Sequence, residues 1–165
     1  MDRTSHILKI IEENPGIHIR GIIKESKFEN GVVQYHLKKL ENQSKIKFDK
    51  RTRYKRYYTV EVDNEEFPII ANLRKKSKQS LLFAILSSTD PHFDDILKKI
   101  QKSPSTTSWN ISGLVKDGIV EKIQSQGKTI YKIKDRKLLK KTLEKEFSKL
   151  FKDSLEHNED AFLAL

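Results

Sequence analysis

The sequence contains no cysteine, one tryptophan, one methionine, six glycines and four prolines in 165 residues. Without thiols there is no disulfide framework, no thiolate metal site and no thiol redox sensor, and the chain suits a reducing interior. No apolar run approaches the roughly 18 residues that span a bilayer. The opening MDRTSHILKIIEENPG turns acidic too early for a secretory signal. A cytoplasmic, nucleoid-associated protein with no membrane partner is the expectation. The few glycines are scattered, so no phosphate-cradling loop is present, nor is a nucleophile elbow or a zinc-protease helix. A protein that is not an enzyme and carries no cofactor is expected, and no small-molecule effector is indicated.

Acidic residues are outnumbered, 23 against 33 Lys and Arg, leaving a formal charge of +10. Such a surplus suits a polyanionic partner, nucleic acid first among them, although charge also serves solubility alone. The hydrophobic fraction of 36% is modest for one large core and suits two small ones.

Thr4 or Ser5 can cap a first helix whose apolar positions Ile7, Leu8, Ile10 and Ile11 recur at helical spacing, and NPG at 14–16 stops it. IHI predicts a very short extended piece. Ile19, Ile22 and Ile23 fit a second helix ending near Lys27, and Val33, Leu37 and Leu40 share one face of a third. KIKFDK and KRYYTV flank RTRY as a β-hairpin. The fold class expected is mainly α with small β hairpins.

Sliding the chain by 74 residues aligns its two parts without a gap, so that Ile7 meets Leu81, Ile22 meets Ile96, Tyr35 meets Trp109 and Leu40 meets Leu114. The second copy then predicts helices over 76–87, 93–101 and 104–116 and a hairpin turning at 126–128, with Ser103 and Pro104 as cap and first position of its third helix. The expected organisation is a domain over 1–62, a linker with a short helix over 63–75, a second domain over 76–134, and a C-terminal helix and tail over 135–165. On that last helix Leu139, Leu143, Phe147, Leu150 and Phe151 form one apolar stripe, which packs on its own domain or pairs with a second molecule in a homodimer.

Helix, helix, hairpin is the order of a winged helix-turn-helix, in which the second helix of the pair enters the major groove and the hairpin reaches backbone or minor groove. With Val33, Leu37 and Leu40 inward, Val32, Gln34, Tyr35, Lys38 and Lys39 turn outward. Gln34 suits adenine, and Lys38 suits a guanine edge or a phosphate. Lys50, Arg51, Arg53, Lys55 and Arg56, with Tyr54 among them, place five cations within seven residues. Such a tip gains from counterion release at phosphates. The bland alternatives are a solvated helix face and an edge strand protected by charge.

The second copy offers Ser105, Thr106, Ser108, Trp109, Ser112 and Gly113 on its helix and Lys128 near its hairpin tip, a weaker candidate for double-stranded DNA. Trp109 at this spacing is expected to be half-buried. Counting to Glu61, the first part holds 14 cations against 8 anions and the remainder 19 against 15, so the first domain is the better candidate reader. His92 with Asp94 and Asp95 suits a helix cap better than a metal. His18 and His92 occupy equivalent repeat positions, which speaks for packing.

NPGIHIR, YHLKKLE and RYKRYY together resemble the archaeal winged helix-turn-helix regulators of the ArsR/MarR-like superfamily, especially those carrying two such domains in one chain. SPSTTSWNISGLVKDGIVEK in the second copy is similar to the recognition helix and following strand of the same group. The resemblance implies sequence-specific DNA binding and regulation of transcription, often as a dimer. Ser44 and Lys45 depart from it where a Gly and an apolar residue are usual, and Asn110 stands at the position of His36. A protein-interaction scaffold or a nonspecific chromatin-like DNA binder is the alternative.

Overall fold

The computed structural model describes residues 1–147, which form an α+β fold of two compact units, Met1–Phe67 and Pro68 onward. The first unit begins with α1, Arg3–Glu13. Its cap is Asp2, whose carboxylate accepts from the Ser5 amide at 2.8 Å. The cap expected at Thr4 or Ser5 therefore shifts N-terminally, because Thr4 is buried and shares a 2.9 Å hydrogen bond with His36 Nδ1. Gly16, at φ 76°, supplies the left-handed turn that leads into β1, Ile17–His18. Next come α2, Ile19–Ser26, and α3, Asn30–Asn42, then β2, Ile46–Asp49, and β3, Arg56–Thr59.

The strands form one antiparallel sheet in the order β1, β3, β2, so the expected hairpin gains a third strand through Ile17 opposite Tyr57. Register along the hairpin pairs Phe48 with Tyr57 and Asp49 with Arg56. Ile7, Ile11, Ile22, Val33, Leu37 and Leu40 close the core that the helical spacing predicts. A capped 3₁₀ turn at Asn64–Glu66 follows the sheet, and Tyr58 stacks on Phe67 at 4.0 Å between centroids.

α4, Phe67–Leu73, begins at the last residue of the first unit, and its Ile69 and Leu73 join the core of the second, which continues with α5, Lys76–Leu86, and α6, Phe93–Lys99. The third helix of the copy is α7, Pro104–Lys116, and the hairpin is β4, Val120–Ser125, with β5, Lys128–Ile133. α7 is α3 displaced by 74 residues at both ends, and its cap is Ser103, which accepts from the Thr106 amide. Gln126 and Gly127, both at positive φ, form the two-residue turn that matches hairpin twist. The pairing of the first unit's short strand also recurs, since Tyr131 donates its amide to Pro91 O at 3.0 Å.

The chain ends its described part in α8, Arg136–Glu146, capped by Asp135. Leu139 and Leu143 are fully buried in the second unit's own core, with Phe147 packed against it, so the own-domain alternative is the one these side chains adopt. Leu150 and Phe151, assigned to the same stripe, lie outside the described residues.

Candidate nucleic-acid interface

α3 is held by its buried stripe and presents the opposite face outward. Gln34, Tyr35, Lys38 and Lys39 are exposed and Val32 is half-buried. Tyr35 is the extreme case, a large aromatic 66% exposed at mid-helix, in edge contact with His36. Gln34 is oriented by Asn30, whose side-chain oxygen accepts from Gln34 Nε2 at 3.2 Å.

The basic tip differs from the uniform cluster expected from sequence. Arg51 is gripped by the buried Asp49 carboxylate through Nε at 2.9 Å and Nη2 at 3.1 Å. Arg56 lies in β3, half-buried, and Nη1 donates to Gly16 O at 2.7 Å. Lys55 donates to Glu41 Oε1 on α3 at 2.9 Å and lies 3.6 Å from the Phe48 ring centroid. Lys50, Arg51 and Arg53 therefore remain as the exposed cations, Arg53 lying over Tyr54 and Lys50 over Phe48. Tyr54 itself rests edge-on against His18.

Two residues of the predicted set thus act on the shape of the tip rather than on its outer charge. Their partners, Gly16 O and Glu41, are 40 and 14 residues away in the chain, and no local pattern announces them. The Asp49 carboxyl is pushed up by burial, but the hydrogen bonds and charge of Arg51, with the charge of Arg56, outweigh this and hold it below the usual carboxylate range. Burial pushes the Tyr57 phenol beneath the sheet up, and the nearby Lys55 charge opposes it.

On α7 the residues Ser105, Thr106, Ser108 and Ser112 are exposed, Gly113 is half-buried, and Lys128 is exposed on the hairpin. Trp109 is 76% exposed, which corrects the half-buried expectation. With Thr107, Asn110, Ile111 and Leu114 buried, helical geometry leaves position 109 on the outer face, as it leaves Tyr35 in the first unit. Lys78 was not singled out from sequence. It is buried against α7, with Nζ 2.7 Å from where a Cβ on Gly113 would stand. Burial and then the Lys75 charge lower its pKa, against the pull of Asp117.

His18 and His92, at equivalent repeat positions, are both half-buried and hydrogen-bonded within their own units. His18 Nδ1 accepts from the Gly21 amide at 2.9 Å, and His92 Nδ1 meets Thr129 O at 3.0 Å. Asp95 serves as a cap, accepting from the His92 amide at 2.9 Å.

A protein family described as an N-terminal HTH domain matches residues 1–68, so a helix-turn-helix domain is present there. Across most of the chain there is similarity to an uncharacterized HTH-type transcriptional regulator of Methanocaldococcus jannaschii, 26% identical over 134 residues. That match covers 81% of this chain and 34% of the relative, so the chain spans about a third of the relative's length. No solved structure matches the chain at a significant level.

Proposed function

We propose that this chain is a sequence-specific DNA-binding transcriptional regulator, with α3 as the helix that enters the major groove and the β2–β3 hairpin as a wing on the backbone. The observation that carries the reading is the Glu41–Lys55 contact, which ties the exposed face of α3 to the hairpin bearing Lys50, Arg51 and Arg53. A helix that reads bases needs its register fixed by backbone contacts nearby, and a linked helix and basic hairpin supply both. The helix-turn-helix match and the regulator-named relative support the same class.

In this reading Gln34 and Lys38 contact base edges, Tyr35 packs against the groove, and Lys39, Lys50, Arg51 and Arg53 contact phosphates. The second unit is a second winged helix in tandem, and a homodimer on paired half-sites completes the assembly. Exposure of Trp109 favours a second reading for that unit alone, a protein-contact surface centred on an aromatic anchor. The function is tested by selecting bound duplexes from a random library and measuring the mass of the complex. Recovery of a shared motif supports the reading, and recovery of none would replace it with the scaffold or nonspecific alternative.

A further inference from the structure

The 74-residue repeat shows where the second unit departs from the first in its interior. In the first unit Phe28, between α2 and α3, packs against the core. Its ring meets the His6 ring edge-on at 5.6 Å and lies under the Arg3 guanidinium at 5.5 Å. One repeat further along, Lys102 stands at the position of Phe28, Ser80 at that of His6 and Ser77 at that of Arg3. Thr107 replaces the core residue Val33, and Asn110 replaces His36.

All five residues line a single cavity of about 340 Å³, and none of its lining residues is acidic. Thr107 is 0% exposed, and its hydroxyl oxygen has no hydrogen-bond partner. A buried hydroxyl is costly unless paired. The position does not require a hydroxyl for folding, because the first unit has valine there. Lys99 also borders the cavity but is engaged with Ser87, whose backbone and side-chain oxygens accept from Nζ at 3.0 and 2.9 Å.

We propose that this cavity binds a small organic anion, a ring-sized body carrying one carboxylate or phosphate. Lys102 supplies the charge, and Ser77 and Asn110 supply hydroxyl and amide donors, with the Ser80 hydroxyl already donating to Lys76 O and Thr107, 0% exposed, lying behind them. The volume lies at the lower end of small-molecule sites and suits a compact metabolite. Thr107 and Asn110 belong to α7, whose outer face carries Trp109, so a ligand held by the inner face acts on the same helix. The site is defined without reference to DNA, and its test is independent of DNA binding.

The test is a titration of the full chain with benzoate and with phenyl phosphate, followed by amide resonances, with neutral benzamide as control. The expected result is saturable shifts at Thr107 and Asn110 with at least one anion, at a dissociation constant of about 1 mM or tighter, and binding of benzamide about tenfold weaker. The two anions distinguish a carboxylate ligand from a phosphate ligand. Lys102→Phe copies Phe28 of the first unit and should abolish the shifts. Ser77→Ala, which removes an accessible hydroxyl of the lining, should weaken binding about threefold or more even where Lys102→Phe does not fold. Absence of saturable shifts with both anions, equal binding of benzamide, or unchanged binding in Ser77→Ala would overturn the proposal.

Discussion

Lys55 and Glu41 join two elements that neither helical nor strand periodicity connects, with Nζ 2.9 Å from Oε1 and the ammonium 3.6 Å from the centroid of the Phe48 ring. The lysine side chain is about one-third exposed and the glutamate less so, which places the pair between surface and interior. Lys38 shares the same carboxylate at 4.0 Å, on the exposed face of α3. Lys55 therefore adds a polar tie between the hairpin and α3 to the core packing of Leu37, Leu40, Ile46 and Tyr57. Lys55→Met should cost about 1 kcal/mol by chemical denaturation, from the ion pair and the cation–π contact together. On the proposed function it should also impair DNA binding beyond the loss of one charge.

Arg53 and Arg56 lie three residues apart and predict opposite phenotypes. Arg53 is exposed over Tyr54, whereas Arg56 is half-buried and donates to Gly16 O at 2.7 Å. Arg53→Ala should leave stability within about 0.5 kcal/mol of the parent and reduce the salt slope of DNA binding by about one. Arg56→Ala should lower stability by about 2 kcal/mol, because it removes a charge-assisted bond that anchors β3 to the turn before β1. Thermal melts and salt titrations of both variants check this contrast. Equal losses of stability would contradict it.

The Asp49–Arg51 pair gives the hairpin an acid limit. The folded pKa of Asp49 is depressed, so its stabilisation is fully present above the ordinary value of 3.8 and is lost as pH falls through the lower folded value. Asp49→Asn should be less stable than the parent by about 1 kcal/mol at neutral pH, and the difference should close as pH falls through the lowered folded value. Stability measured against pH in both proteins provides the check.

Ser44 offers a prediction from the repeat itself. It adopts φ 53° where its counterpart Gly118 adopts φ 74°, and in each unit the next amide bonds back to the helix, Lys45 N to Leu40 O and Ile119 N to Leu114 O, both at 3.0 Å. This is the left-handed helix stop that glycine occupies without steric cost. Ser44→Gly should raise stability by about 0.5 kcal/mol, read as a shift in denaturation midpoint without a change in slope.

The departure at Ser44 thus leaves the loop geometry intact, and much of the framework was legible because it repeats. α3 and α7 have matching limits, and their buried stripes follow directly from apolar spacing at Val33, Leu37 and Leu40. The outward face of α3 was legible for the same reason. The hairpin cations were not, since Asp49, Glu41 and Gly16 O select among them through contacts made only after the sheet and helix pack. Trp109 escaped prediction because aromatic size argues for burial, while helical phase places it opposite Ile111 and Leu114. Lys78 and the cavity beside Thr107 were hidden by the alignment that revealed the repeat, because matching apolar positions conceals where a polar residue has replaced a core one.

The central claim is that α3 reads base edges while the hairpin tip contacts phosphate. Its most direct test is the affinity of the parent, of Gln34→Ala with Lys38→Ala, and of Lys50→Ala with Arg53→Ala, each for a selected duplex and for a scrambled one across a salt series. The helix variant should lose discrimination between the duplexes, by about 1–3 kcal/mol per bidentate contact removed. The hairpin variant should weaken on both duplexes alike, with a salt slope shallower by about two. Unchanged discrimination in the helix variant, together with an unchanged slope in the hairpin variant, would contradict the account.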